Sequence, residues 1–333
     1  MKTKADKNNI KFRPHFKTHQ SAIVGSWFKE IGVSSISVSS VEMAKYFAGN
    51  SWKDITIAFP LNVLEMDEIN ELSKEISLNI LIDSLETLRT LIQKNENRLG
   101  VYIKIDTGYG RVGIKAGNIE EIENLIKKIK KCNSLLFKGF LTHSGHTYHA
   151  NSRNEIQTVF SEAKNKMIVL KKYFSKLSDF DISVGDTPSC SIVDDFSGID
   201  EIRPGNFVFY DVMQKYLGSC SYEDIAVALA CPVVAKYKSR NEIVIYGGGV
   251  HLSKEFILLP DGNKLFGEIV KFDKTSWGEP IENIYLNTLS QEHGIIKATP
   301  EFIDEIKIGD LIGVLPVHSC LTANLMKDFI ILK

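Results

Sequence analysis

Six segments of the chain hold the residue types and spacings that could do chemistry. Near the N-terminus runs Arg13-Pro14-His15-Phe16-Lys17-Thr18-His19. On a strand, Arg13, His15 and Lys17 share one face, and a lysine buried there has its amine pKa lowered by desolvation and becomes a nucleophile toward an aldehyde. Taken alone, a solvated basic strand edge explains such a lysine as well. Near the C-terminus, Pro316-Val317-His318-Ser319-Cys320 sets a histidine two residues before a cysteine. On an extended chain both point the same way, and imidazole with thiolate suits zinc better than the oxygen-seeking calcium or magnesium. The plainer reading is a buried cysteine beside an unrelated histidine. Between these lie Lys104–Gly113 with Arg111, and Phe140–Tyr148 with His143, His146 and Tyr148. Then come Ser183-Val184-Gly185-Asp186-Thr187-Pro188-Ser189 and Arg203-Pro204-Gly205-Asn206, where glycine and hydroxyl or amide donors suit a phosphate cradle, with Tyr210 just beyond.

The elements that must position these residues follow from hydrophobic periodicity. Strand-like runs are predicted at 11–17, 34–39, 54–59, 78–83, 100–106, 135–143, 180–185 and 200–208, separated by helical patterns such as Val63–Ile76 and Asn118–Lys131. Eight strands alternating with helices predict a closed parallel (β/α)8 barrel of the TIM type, with an open doubly wound sheet as the structural alternative. The candidate loops then fall after the strands, on the face where barrels build active sites. Beyond residue 217 the texture changes to Ala226–Tyr237, Glu242–Tyr246, Glu255–Leu259, Gly267–Phe272 and Leu311–Val317, with turns at Asp261-Gly262-Asn263 and Gly278. The division predicted is a barrel over 1–217 and an all-β domain over 218–333 that carries the His318/Cys320 pair.

Composition narrows the classes of function. The chain has 333 residues, 44% hydrophobic and 24% charged, as an average globular enzyme has. Its 40 basic and 41 acidic residues leave a net charge of -1, which gives no field for steering a polyanion, so a nucleic-acid partner is not expected. No apolar run reaches the roughly 18 residues of a spanning helix, and no apolar stretch follows the basic N-terminus. A cytoplasmic enzyme without a membrane partner is expected. The five scattered cysteines contain no Cys-x-x-Cys pair and argue against a disulfide framework.

The Arg13–His19 heptapeptide and the later segments together resemble the D-serine dehydratase and D-threonine aldolase family of pyridoxal 5′-phosphate enzymes, which share the alanine-racemase type of barrel (fold type III). The resemblance runs through nearly the whole chain. It implies that Lys17 carries the cofactor as a Schiff base with His15 beside it, that Arg111 reaches the phenolic oxygen and that His143 packs on the pyridine ring. It implies a phosphate cradle of Gly185, Thr187, Gly205 and Asn206, an approach of Tyr210 to the pyridine side, and substrate contacts from His146 and Tyr148. His318 and Cys320 match the family's metal site, with zinc the expected ion, and Ser290-Gln291-Glu292-His293-Gly294 matches a segment that would support it. The activity implied is a lyase on D-3-hydroxy amino acids, working as a homodimer on small molecules. A His-x-Cys pair looks more like the dehydratases and His-x-Asp more like the aldolases, so D-serine dehydratase giving pyruvate and ammonia is expected first. D-threonine aldolase and a non-catalytic cofactor carrier are the alternatives. Family members carry a further strand and helix before the lysine strand, so residues 1–10 imply either a truncated start or a β-domain short of one strand.

Overall fold

The computed structural model describes residues 1–177 and 179–332, in two compact units, Met1–Gly205 and Asn206–Lys333. The first unit alternates strand and helix. Its parallel strands are β1 (Lys11–Phe12), β2 (Ser35–Val38), β3 (Asp54–Pro60), β4 (Ser77–Ile82), β5 (Leu99–Asp106), β7 (Leu135–Leu141), β8 (Asp181–Val184) and β9 (Glu201–Ile202), with β6 (Ile114–Lys115) a short addition beside β5. Hydrogen bonding runs in the order β1-β9-β8-β7-β5-β4-β3-β2. The ring closes where Ser37 N–H donates to the Pro14 carbonyl at 2.9 Å and Phe16 N–H to the Ser37 carbonyl at 2.8 Å. All eight expected strands are present, and the barrel is the observed architecture.

The helices are α1 (Lys2–Lys7), α2 (Ala22–Glu30), α3 (Val41–Gly49), α4 (Met66–Glu75), α5 (Leu85–Lys94), α6 (Ile119–Lys131), α7 (Arg153–Phe174) and α8 (Thr187–Ile192). Local signals set their starts. Ser21, Ser40, Ser84 and Ser152 each accept the backbone N–H three residues on, satisfying a donor that the first turn leaves unpaired. In α6 the buried residues Ile122, Leu125, Ile126 and Ile129 recur at helical spacing, Glu120 and Glu121 occupy the first turn, and Lys128, Lys130 and Lys131 the last.

The barrel interior is polar at several levels, which an all-apolar fill would not allow. Arg13 is buried, its Nε 2.7 Å from Glu201 Oε2 and its Nη1 2.8 Å from Asp54 Oδ1. It is therefore a structural ion-pair residue and not part of a chemical face shared with Lys17. Asn79 extends the network to Asp54 at 3.1 Å and to Thr56 Oγ1 at 3.2 Å.

The second unit is a closed antiparallel barrel of β10 (Leu229–Tyr237), β11 (Glu242–Tyr246), β14 (Gly267–Val270), β15 (Tyr285–Leu289), β16 (His293–Lys297) and β17 (Leu311–Pro316), in the order β10-β11-β16-β15-β14-β17. A short hairpin pairs β12 (Ile257–Leu258) with β13 (Lys264–Leu265). Val233, Ile243, Ile245, Ile269, Leu286, Ile296, Ile312 and Val314 fill the core. Among the described residues four helices complete it: α9 (Val212–Tyr216), α10 (Gly249–Leu252), α11 (Pro300–Glu305) and α12 (Ser319–Met326). Residues 206–217 belong to this unit because Val212 packs with Val270, Leu315 and Val317. Among the described residues no helix is long and apolar enough to cross a membrane.

Candidate active site

In the first unit, His15, Lys17, Arg111, His143, His146, Tyr148, Gly185, Thr187 and Gly205 all follow C-terminal strand ends. The β1 segment stays extended through His15, whose N–H donates to the Pro204 carbonyl at 2.9 Å. It then turns, with Gln20 N–H returning to the Phe16 carbonyl at 3.0 Å. Lys17 therefore sits on a turn and is exposed, where a buried strand lysine was expected. The lysine that burial does depress is Lys104 at the end of β5, pushed down to about 7 by desolvation and by the charges of Arg203 and Arg111.

Two imidazoles are held neutral. Burial pushes His15 well below its ordinary value, reinforced by the charges of Lys17 and Arg203; burial and Lys104 do the same to His143. His143 donates its Nδ1–H to the Gly185 carbonyl, which fixes the tautomer. Arg203 donates to Ser183 Oγ and, at 2.7 Å, to the Thr142 carbonyl. Gly185 is required here, since a Cβ would lie 2.9 Å from the Arg203 carbonyl oxygen; at Gly205 a Cβ would lie 2.9 Å from Thr18 Oγ1.

The walls follow the same logic. Arg111 lies over the Tyr109 ring at 5.0 Å, and that ring stacks on His146 with centroids 6.0 Å apart. His146 Nδ1 is buried without a hydrogen-bond partner among the described residues. Tyr148 Oη accepts the Thr187 N–H at 3.4 Å, and Asp186 accepts Thr147 Oγ1 at 3.0 Å and Ser189 N–H at 2.7 Å. Burial pushes the Asp186 carboxyl up to about 6. Three cationic side chains, Lys17, Arg111 and Arg203, together with the depressed amine of Lys104, thus act on a place lined by neutral histidines. That donor set fits an anionic aldehyde cofactor with phosphate and phenolate oxygens.

The second unit holds Asn206, Tyr210, His318 and Cys320. His318 is extended (φ -135°) but Ser319 opens α12, so Cys320 lies in a helical first turn and not on an extended chain. The two side chains still hydrogen-bond to each other. His318 Nδ1 is 2.6 Å from Glu255 Oε2, which leaves Nε2 as the ring nitrogen for a metal. Burial opposes charge on His318, yet the hydrogen bonds it donates to Cys320 and Glu255 hold it up at about 10. Asn206 Nδ2 reaches Asp211 Oδ2 at 2.6 Å and Cys320 Sγ at 3.3 Å. Tyr210 has left-handed backbone (φ 46°) and packs with the Val212 and Val317 cluster. Among the described residues no group of three or more His, Cys, Asp or Glu side chains is arranged to hold a metal. An imidazole and a thiol in contact, one backed by a carboxylate and the other by an amide, do fit a zinc site that keeps positions open for water and substrate.

Sequence reasoning missed Lys104, Asp211 and Glu255. Lys104 was detectable as a lone charge within the apolar run Leu99–Ile105; Glu255, far from His318 in the chain, carried no signal. In Ser290–Gly294, residues Ser290–Glu292 form the β15–β16 turn and His293 and Gly294 begin β16. The Ser290 and Glu292 carbonyls accept the N–H groups of Gly249 (2.8 Å) and Gly247 (3.0 Å), bracing the segment that leads to Glu255.

Comparison with known proteins agrees with this architecture. The alanine racemase N-terminal domain matches residues 1–211 and the putative serine dehydratase domain residues 226–332. The chain is 30% identical to D-serine dehydratase of Dictyostelium discoideum, covering 99% of this chain and 88% of the relative. Among solved structures, D-threo-3-hydroxyaspartate dehydratase of Delftia sp. HT23 superposes with a TM-score of 0.88 at 22% identity (97% of this chain, 87% of the other), and a cysteine-to-alanine variant of that enzyme was solved in the metal-free form. D-threonine aldolase of Filomicrobium marinum gives 0.81 at 18% identity (96% and 83%). A barrel of the alanine-racemase type followed by an antiparallel β-barrel defines a fold-type III pyridoxal-phosphate enzyme. The chain belongs to the D-serine dehydratase and D-threonine aldolase family within that class, and it is a lyase.

Proposed function

We propose that the chain is a pyridoxal-phosphate and divalent-metal-dependent lyase that eliminates water from D-serine to give pyruvate and ammonia, in a homodimeric cytoplasmic enzyme with no nucleic-acid or membrane partner. The observation that carries this reading is the near full-length likeness to a D-serine dehydratase. The His318–Cys320 pair favours it over aldol cleavage through the family resemblance.

Bound at Lys17, the cofactor supplies an electron sink for charge developing at the substrate Cα. Lys17 Nζ, exposed on its turn, is the base for the Cα proton. Arg111 and Arg203 balance anionic oxygens, and His15 and His143, held neutral, add no positive charge of their own. The half-buried His146 ring and Tyr148 orient the substrate. Gly185, Thr187 and Gly205 offer donors and close backbone approach for a phosphate. His318 and Cys320 would hold the metal, zinc first, whose Lewis acidity assists the departing β-hydroxyl. Retro-aldol cleavage of D-threonine draws on the same sink and is the competing reading. A non-catalytic carrier would have no use for the His318/Cys320 pair.

The test is metal removal. Dialysis of the holoenzyme against a chelator is expected to abolish pyruvate formation from D-serine, to leave the absorbance of the bound cofactor in place, and to be reversed by zinc. Unchanged turnover in protein shown to be metal-free would remove the metal from the reaction.

A further inference from the structure

The Asn206 amide is oriented by what surrounds it. Its Nδ2 carries two hydrogens, and two acceptors face it: Asp211 Oδ2 at 2.6 Å and Cys320 Sγ at 3.3 Å. Flipping the amide would set Oδ1 against a carboxylate and a sulfur, neither of which donates when ionised, so only the orientation observed satisfies the site. Both donors are thereby committed, and Oδ1 is left buried with no partner among the described residues.

Asp211 is buried as well, and each of its oxygens is engaged. Oδ1 accepts the Gln214 N–H at 2.9 Å, capping α9, while Oδ2 also accepts the Ser319 N–H at 3.2 Å. One carboxylate therefore ties the start of α9 to the start of α12, the helix that presents Cys320. Asn206 is 6% exposed, Asp211 1% and Ser319 0%, so water does not compete for these bonds.

We propose that Asn206 and Asp211 are positioning residues for the Cys320 sulfur, and that the Asn206 side chain serves the metal ligand and not a phosphate. The inference rests on the metal reading above. Asp211 fixes the amide, and the amide fixes the sulfur. The N–H donated to sulfur holds it where a metal would meet it, which is the source of its effect on affinity, and by drawing charge it also lowers the energy of the sulfur lone pairs, which sets the energy of the charge-transfer band. Outer partners of this kind commonly contribute about 10–100-fold in metal affinity.

The experiment uses holoenzyme stripped by chelator with pyridoxal phosphate retained, then titrated with cobalt(II) alone. The parent should show a thiolate-to-cobalt charge-transfer band. Asn206→Leu should raise the cobalt dissociation constant roughly 10–100-fold, move that band to lower energy, and leave the pyridoxal-phosphate dissociation constant within about twofold. Asp211→Asn, which keeps shape and one carbonyl acceptor, should weaken cobalt binding in the same direction and carries the test if the leucine variant does not fold. An unchanged cobalt constant and band in Asn206→Leu, with loosened pyridoxal phosphate, would return Asn206 to a phosphate cradle and overturn the inference. A parent lacking any thiolate band would remove the metal reading itself, a failure distinct from an unresponsive variant.

Discussion

The Lys17→Ala protein is expected to take up pyridoxal phosphate without covalent attachment and to lose roughly 10²–10⁴-fold in turnover, the contribution of one positioned general base. Two lysines compete for the role. Lys104 has the depressed amine, but it is buried, with 5% exposure, between the charges of Arg111 and Arg203. Lys17 is exposed on a turn that follows His15, where an aldehyde can reach it. Borohydride reduction followed by peptide mapping decides between them: the cofactor should be found on the Lys17 peptide of the parent and on no peptide of the variant. The same adduct in both proteins, or an adduct at Lys104 in the parent, would move the attachment site.

The second large effect concerns stability. Glu201 is 0% exposed and accepts from Arg13 Nε at 2.7 Å, while Ser183 Oγ donates to its other oxygen. Burial alone would raise this carboxyl; the charges of Arg13 and Arg203 outweigh that and hold it below its ordinary value of 4.5. Glu201→Ala leaves the buried Arg13 with Asp54 as its one remaining carboxylate partner and removes the buried negative charge that faces Arg203, and breaking a buried pair from one side costs about 3–5 kcal/mol. The melting temperature of the holoenzyme should fall by roughly 6–20 °C, at about 2–4 °C per kcal/mol for a unit of this size. The sign with pH follows from the lowered value. Glu201's contribution is complete above about pH 4.5 and is lost as the pH falls through its lower folded value, so parent and variant should converge in strong acid. A control is Glu68→Gln, which removes the exposed Lys45–Glu68 pair and should cost less than about 1 kcal/mol. Equal melting temperatures for parent and Glu201→Ala would show that the barrel interior does not depend on this pair.

The parallel barrel was legible because its strands are apolar on both faces and its helices amphipathic, so the change in periodicity between Leu99–Asp106 and Ile119–Lys131 marks each boundary. The β-domain was read less completely. Tyr285–Leu289 and His293–Lys297 went unseen as strands, since only alternate residues such as Leu286, Gly294 and Ile296 are buried and the connecting Ser290–Glu292 draws attention as a motif. Glu255–Leu259 was overread: only Ile257 and Leu258 pair, with Leu265 and Lys264. At the sites, motifs located the residues but not their surroundings. The burial of Lys104, the exposure of Lys17, and the reach of Glu255 to His318 or of Asn206 to Cys320 depend on long-range packing that no local window records.

Elimination from D-serine is tested by one preparation assayed for two products. Elimination and retro-aldol cleavage share the cofactor and the metal and differ in which bond is aligned with the cofactor's π-system. Pyruvate from D-serine is expected at a higher specificity constant than glycine from D-threonine, measured on the same zinc-loaded holoenzyme. Dominant glycine and acetaldehyde from D-threonine, with little pyruvate from D-serine, would contradict it and make the chain an aldolase.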